Sequence, residues 1–287
     1  MKNSLSGILQ HLRIPFSFLL LPVFLFAYVE LPGHQDLGFS FFLLLGILHL
    51  LVYPSSNAYN SLQDRDTGSI GLVKYPQAVP QSLRWITVLM DLAAIAMSFY
   101  FNMATVILLT MYILFSRLYS HRGIRLKRYP AIGFMTVFLF QGFLIYILTQ
   151  CAFGQGRIHS YSLAYAASCL IGAIYPLSQI YQHQQDEADG VISISRLLGY
   201  RGTFLFSGSL FVAGAMIFTY SHWMQHDYLP ILIFHVCQFP VITYFIYWAY
   251  KVWQQESQAD FGHTMRMSIL ASVCMNACFG ILFYLNR

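Results

Sequence analysis

The chain of 287 residues is 57% hydrophobic and 17% aromatic but only 9% charged, with a formal net charge of +5 and a mean hydropathy of +0.57. A soluble domain carries roughly 25% charged residues, so the composition excludes that class and describes a polytopic membrane protein. No nucleic-acid partner is expected, and the five cysteines, none in a CxxC pair, read as small packing residues rather than redox or metal groups.

Nine apolar runs are long enough to span a bilayer, at about 14–32, 38–59, 85–101, 103–119, 131–152, 160–180, 202–220, 228–250 and 268–285. The first opens at Arg13-Ile-Pro15, lacks a small-residue cleavage site and is followed at once by more spans, so it reads as a retained helix. The second holds His49, read as a packing or hydrogen-bonding group. The third holds Asp91, read as one side of a helix–helix hydrogen bond. The third and fourth divide near Phe101–Asn102. With the N-terminus inside, 14 of the 16 Lys and Arg residues fall on the inner side, leaving Arg157 and Arg287 outside. The positive-inside rule therefore places the N-terminus in the cytoplasm and the C-terminus outside. Long polar connections follow spans 2, 4, 6 and 8, so the chemistry is expected at the cytoplasmic face.

The end of the second span repeats at the end of the sixth. YPSSNAYNSLQDRDTG, residues 53–68, aligns without a gap with YPLSQIYQHQQDEADG, residues 175–190, and seven of sixteen positions are identical. Such self-similarity sets the architecture. Four spans separate the copies, so the two halves run parallel. The chain reads as a single all-α transmembrane domain of nine helices, with pseudo-repeats over about 10–120 and 125–250 and an extra helix at 268–285, around a central cavity open to the cytoplasmic side.

Each copy places polar groups at helical spacing on one face: Asn57, Asn60 and Asp64 in the first, Gln179, Gln182 and Asp186 in the second. Asp64 and Asp186 should lie at similar depth on opposite walls of one cavity, with Pro54 and Pro176 disturbing the helix near each motif. Amide and carboxylate oxygens suit a hard cation such as Mg²⁺, which is held by one or two carboxylates plus substrate phosphates. Asn60, Asp64, Asp66, Gln182 and Asp186 are the candidate metal ligands. After span 4, the loop LYSHRGIRLKRYPAIG carries Arg122, Arg125, Lys127 and Arg128 within seven residues. Such a cluster suits a clamp on phosphate oxygens. Tyr119 and Lys74 are its candidate helpers, with Asn57, Gln179 and His183 as further substrate contacts.

These features resemble the UbiA superfamily of intramembrane prenyltransferases. Its first motif, N-D-x-x-D-x-x-x-D, is matched by Asn60 and Asp64, while Ser61 and Gly68 replace two of its Asp residues. The second is matched by Asp186, Gly190 and Ser193, with Gln182 in place of its first Asp. Tyr119-Ser120, Arg125-Leu126 and Lys127 match the loop after helix 4. The resemblance implies Mg²⁺-dependent transfer of a polyprenyl group from its diphosphate to a lipophilic acceptor in the bilayer, an aromatic or quinone-precursor compound. It makes Asp64, Asp186 and Asn60 the catalytic candidates and a bacterial inner membrane the expected location. The alternatives are a terpene cyclase of the same superfamily and a non-catalytic lipid-binding or transport protein.

Overall fold

A computed structural model describes residues 2–33, 36–64, 68–188 and 190–285. Asp66, a candidate metal ligand, lies outside the described residues. Among these residues regular structure is helical, apart from an isolated pairing of Ile70 with Val73 in the loop after the first motif. Helix α1 (Lys2–Leu12) is amphipathic. It buries Leu12 and leaves Leu5 and Leu9 outside. Arg13, left-handed at φ 48°, breaks the chain before the short turns that lead into α2 (Leu21–Val29). There follow α3 (Phe39–Asp64), α4 (Leu83–Ser98), α5 (Met103–Ser120), α6 (Pro130–Phe153) and α7 (Tyr161–Gln179). The short α8 (His183–Ala188) precedes α9 (Ile194–Met224), α10 (Tyr228–Gln254) and α11 (Phe261–Leu285).

Each of the nine expected spans corresponds to a helix. Eight helical stretches are long and apolar enough to cross a bilayer. The ninth, α4, has only 16 residues. It stops at Ser98 because Asn102 starts the next helix, its side chain accepting from the Thr105 amide at 3.0 Å while donating to the Cys151 carbonyl at 2.7 Å. Large apolar side chains on the outer faces of α9 and α10, such as Leu205 and Phe239, are exposed. A bilayer is the solvent that makes this favourable.

The inner packing is aromatic. Phe26 of α2 stacks on Phe279 of α11, centroids 4.7 Å apart, and meets Tyr146 and Phe218 at 5.2 and 5.6 Å. All four are fully buried. Helices α6 and α7 touch through Gly142, where an added Cβ would lie 2.3 Å from the Ser168 Cα. Both α3 and α6 contain a widened π turn, over Ile47–Val52 and Phe138–Leu144. The first directly precedes Pro54, which lacks an N–H to close a regular turn. Pro176 stays inside regular helix, which tightens after Gln179 into the turn Ile180–Gln182.

A polar network away from the cavity fixes the depth of α3. Arg117 of α5 pairs with Asp91 of α4 and donates to the Ser55 hydroxyl at 2.7 Å, while Ser55 donates to Asp91 at 2.7 Å. The guanidinium also lies 4.2 Å from the centroid of Tyr59. Asp91 thus joins helices, as its position within a span suggested. His49 likewise packs, against Phe18, with Nδ1 3.0 Å from the Ser17 carbonyl. Arg117→Ala should lower stability by about 3 kcal/mol, because it strands the Asp91 charge. The double change Asp91→Leu with Arg117→Met should recover most of the loss. Apparent melting temperatures of the detergent-solubilised variants check this.

Candidate active site

The two motif segments and the basic loop meet at one cavity of about 590 Å³. From α3 come Asn57, Asn60 and Asp64; from α7, the turn after it and α8 come Gln179, Gln182 and Asp186; from the α5 end and the following loop come Tyr119, Arg125 and Lys127. Helical spacing puts each triplet on one face, and the helix ends put those faces at the same mouth. The remaining walls are mostly apolar and aromatic.

Asp64 is the electrostatic centre. Its carboxylate receives Lys127 on one oxygen and Arg125, at 3.3 Å, on the other. Lys127 also donates to Asn60 Oδ1 at 3.2 Å, and Ser120 donates to the same oxygen at 2.8 Å. The loop reaches this position because Arg125 takes a left-handed conformation, φ 48°, before the tight turn Leu126–Arg128. Arg122 instead caps the motif helix: it pairs with the Gln63 carbonyl, and its backbone N–H donates to Gln63 Oε1 at 3.1 Å.

The second copy is less compensated. Burial, and then the Asp64 charge, push the Asp186 carboxyl up to about 6, against the opposing pull of Ser193, Lys127 and Arg196. Gln179 donates to the Tyr175 hydroxyl at 2.8 Å, and the Tyr175 and Tyr119 hydroxyls lie 2.5 Å apart. Among the described residues the buried Gln179 Oε1 has no partner. Gln182 donates to Tyr181 at 3.2 Å.

Three candidates stand apart from the cavity wall. Lys74 is exposed over the Tyr75 ring. Arg122 is held on the outside of α3 as described. His183 turns to Ser195, 2.8 Å away, and stacks on Tyr200. Burial, then the Arg196 charge, lower its imidazole to about 4, so it is neutral. The bend at Gly199, φ 67°, brings this Ser195 turn back over His183. Conversely, Arg13 and Tyr175 line the cavity without having been singled out as site residues. Arg13 donates to the Asn57 carbonyl at 2.9 Å. Tyr175 opens the second repeat copy, and Arg13 opens the first span, so each carried a signal of position but none of role.

Among the described residues no three His, Cys, Asp or Glu side chains converge as a metal cluster. The donor set is instead two carboxylates with amides. All are oxygen donors on one cavity, and one amide oxygen is orphaned there. This set fits a hard divalent cation that completes its shell with phosphate oxygens and water.

Residues 19–285 match the UbiA prenyltransferase family. No curated protein matches. Among solved structures, a UbiA homologue from Archaeoglobus fulgidus bound to GPP and Mg²⁺ is similar at 16% identity and TM-score 0.69, over 97% of this chain and 100% of that one. A UbiA homologue from Aeropyrum pernix K1 in its apo form gives 13% identity and TM-score 0.65, over 96% and 98%. A digeranylgeranylglyceryl phosphate synthase gives 16% identity and TM-score 0.63, over 99% and 98%. These identities speak to the fold, and the family match spans nearly the whole chain: the protein belongs to the UbiA prenyltransferase family.

Proposed function

We propose that the protein transfers a prenyl group from a prenyl diphosphate to a lipophilic acceptor within the membrane. The observation that carries this reading is the convergence of both motif ends and the basic loop on one cavity whose remaining walls are apolar. The archaeal homologue's complex with GPP and Mg²⁺ supports the donor class.

In this reading the C1–O bond of the donor breaks and its electron pair leaves with the diphosphate. The prenyl cation then forms a bond to an electron-rich carbon or oxygen of the acceptor, which loses a proton. Lys127 and Arg125 are held at the mouth by Asp64 before substrate arrives. They therefore face the developing charge without further reorganisation. Asn60, Asp64, Gln182 and Asp186 would hold Mg²⁺, with Asn57 and Gln179 flanking them. When bound, the ion neutralises the diphosphate and makes it a better leaving group. The buried rings of Tyr53 and Tyr112 and the half-buried rings of Tyr119 and Tyr175 line the cavity and offer π faces to a cation while keeping water out.

Purified protein should release pyrophosphate and form prenylated product from C10–C20 prenyl diphosphates and a panel of phenolic and quinone-precursor acceptors, and EDTA should abolish both. Lys127→Ala should lower kcat by about 10²–10³-fold, the loss seen when one preorganised electrostatic donor is removed. Asp64→Ala and Asp186→Ala should cost at least as much while still inserting in membranes. Product formed without acceptor would identify a cyclase, and lipid flux without pyrophosphate release would identify a transporter.

We also propose that the termini lie on opposite sides of the membrane, the N-terminus cytoplasmic. The support is the 14-to-2 distribution of positive residues. A reporter active only outside the cytoplasm should work when fused after residue 287 and fail when fused before residue 1.

A further inference from the structure

Among the described residues, one buried serine hydroxyl of the cavity lining has no partner. Ser207 of α9 is 1% exposed, lines the cavity, and its Oγ makes no hydrogen bond. Hydroxyls in apolar helices ordinarily bond back to a carbonyl one turn earlier. Thr203, Ser209 and Ser268 do so here, to Gly199, Leu205 and Thr264. A buried hydroxyl left unpaired costs about 1–3 kcal/mol. A polar group facing an apolar cavity is how such pockets orient a ligand.

The depth of Ser207 follows from helix register. Gly172 meets Leu210 and Gly214 meets Leu170, so α7 and α9 run antiparallel with Ser207 opposite the Tyr175 turn. That is one turn deeper than Gln179. On the other side Gly208 faces Phe245 of α10. Trp248 stacks on His263 and Gln238 bonds to Met275, which sets Ser268 of α11 opposite Tyr244 in the same turn of α10. Ser207 and Ser268 therefore share a level, and both line the cavity. The charged residues of the lining, Arg13, Asp64, Arg125, Lys127 and Asp186, belong to the motif and loop end. All other described lining residues are neutral.

We propose that Ser207, with Ser268 across the cavity, is the binding subsite for the acceptor head, and that it takes an uncharged phenol, quinol or alcohol in preference to a carboxylate. The proposal rests on the prenyl-transfer reading. A ligand hydroxyl can accept from the Ser207 Oγ–H or donate to its lone pair, so it can meet the unpaired group in either direction. At this level an acceptor lies one turn beneath the diphosphate end, where C1 of the donor is delivered. A carboxylate at the same place would be buried beneath Asp64 and Asp186 among neutral residues, since Arg13, Arg125 and Lys127 all belong to the motif and loop end. That arrangement is unfavourable.

Binding tests this without relying on turnover. The full chain in nanodiscs is titrated with 1-naphthol and with 1-hydroxy-2-naphthoate, following intrinsic fluorescence and subtracting empty nanodiscs. The naphthol should bind at least tenfold tighter than the naphthoate. Ser207→Ala should weaken naphthol binding about tenfold and Ser207→Thr should restore most of it. Ser209→Ala, altering the neighbour that bonds back on the lipid side, should leave it unchanged. Equal binding by wild type and Ser207→Ala, or tighter binding of the naphthoate, would overturn the subsite. Intact, Ser207-dependent naphthol binding with no pyrophosphate release from any donor would count against prenyl transfer while upholding the subsite.

Discussion

One carboxylate, that of Asp64, gathers two cations at the mouth of a cavity whose deeper walls are mostly apolar. Charges at a membrane boundary are stable only in company, and here the company comes from a different segment of chain. Lys127 and Arg125 are drawn down from the loop after α5 onto the end of α3. The contact therefore does structural and chemical service together. It closes the loop over the motif helix, and it fixes two cations where, in the proposed prenyl transfer, a diphosphate would sit. Asn60 belongs to the same knot through Lys127 and Ser120.

That knot works only if α3 keeps its depth, and α5 supplies the scaffold. Three neighbouring α5 residues reach three neighbouring residues of α3: Ser116 to Ser56, Arg117 to Ser55, and Ser120 to Asn60. The middle rung is braced from behind by Asp91 of α4. The π turn before Pro54 feeds into this interface. A sliding motion of α3 by one turn would break every rung at once, which makes the motif position a property of the bundle rather than of the motif.

Much of this was legible in the sequence, and the exceptions have physical reasons. The repeat announced two related segments that meet at one cavity, and helical spacing brought their amides and carboxylates to its wall. Composition alone demanded a membrane, and Asn102 marked a boundary as an N-cap. Spacing could not say which way His183 or Arg122 would point. His183 adjoins Gln182 in sequence, yet the Gly199 bend offers it Ser195 and Tyr200 on the opposite side. Arg122 lies in a basic run, yet the free carbonyls ending α3 were nearer than the cavity. Arg13 and Tyr175 were conspicuous as landmarks, but only tertiary packing showed that both face inward. Ser207 carried no signal at all, since a serine in a membrane helix ordinarily satisfies itself.

The shortness of α4 bears on the lipid around the protein. Its 16 residues span about 24 Å, against a hydrocarbon layer of about 30 Å. Its outer side is broadly apolar, with Trp85, Val88, Leu89 and Leu92 exposed. Such mismatch is relieved by locally thinning the bilayer, at a cost of fractions of a kcal/mol per Å. Thinning of this kind would pinch the membrane along one flank of the molecule, at the helix that braces the first motif. Thinner, more fluid surroundings suit that flank, and lipids that thicken the bilayer would press on the Asp91–Arg117 brace from outside.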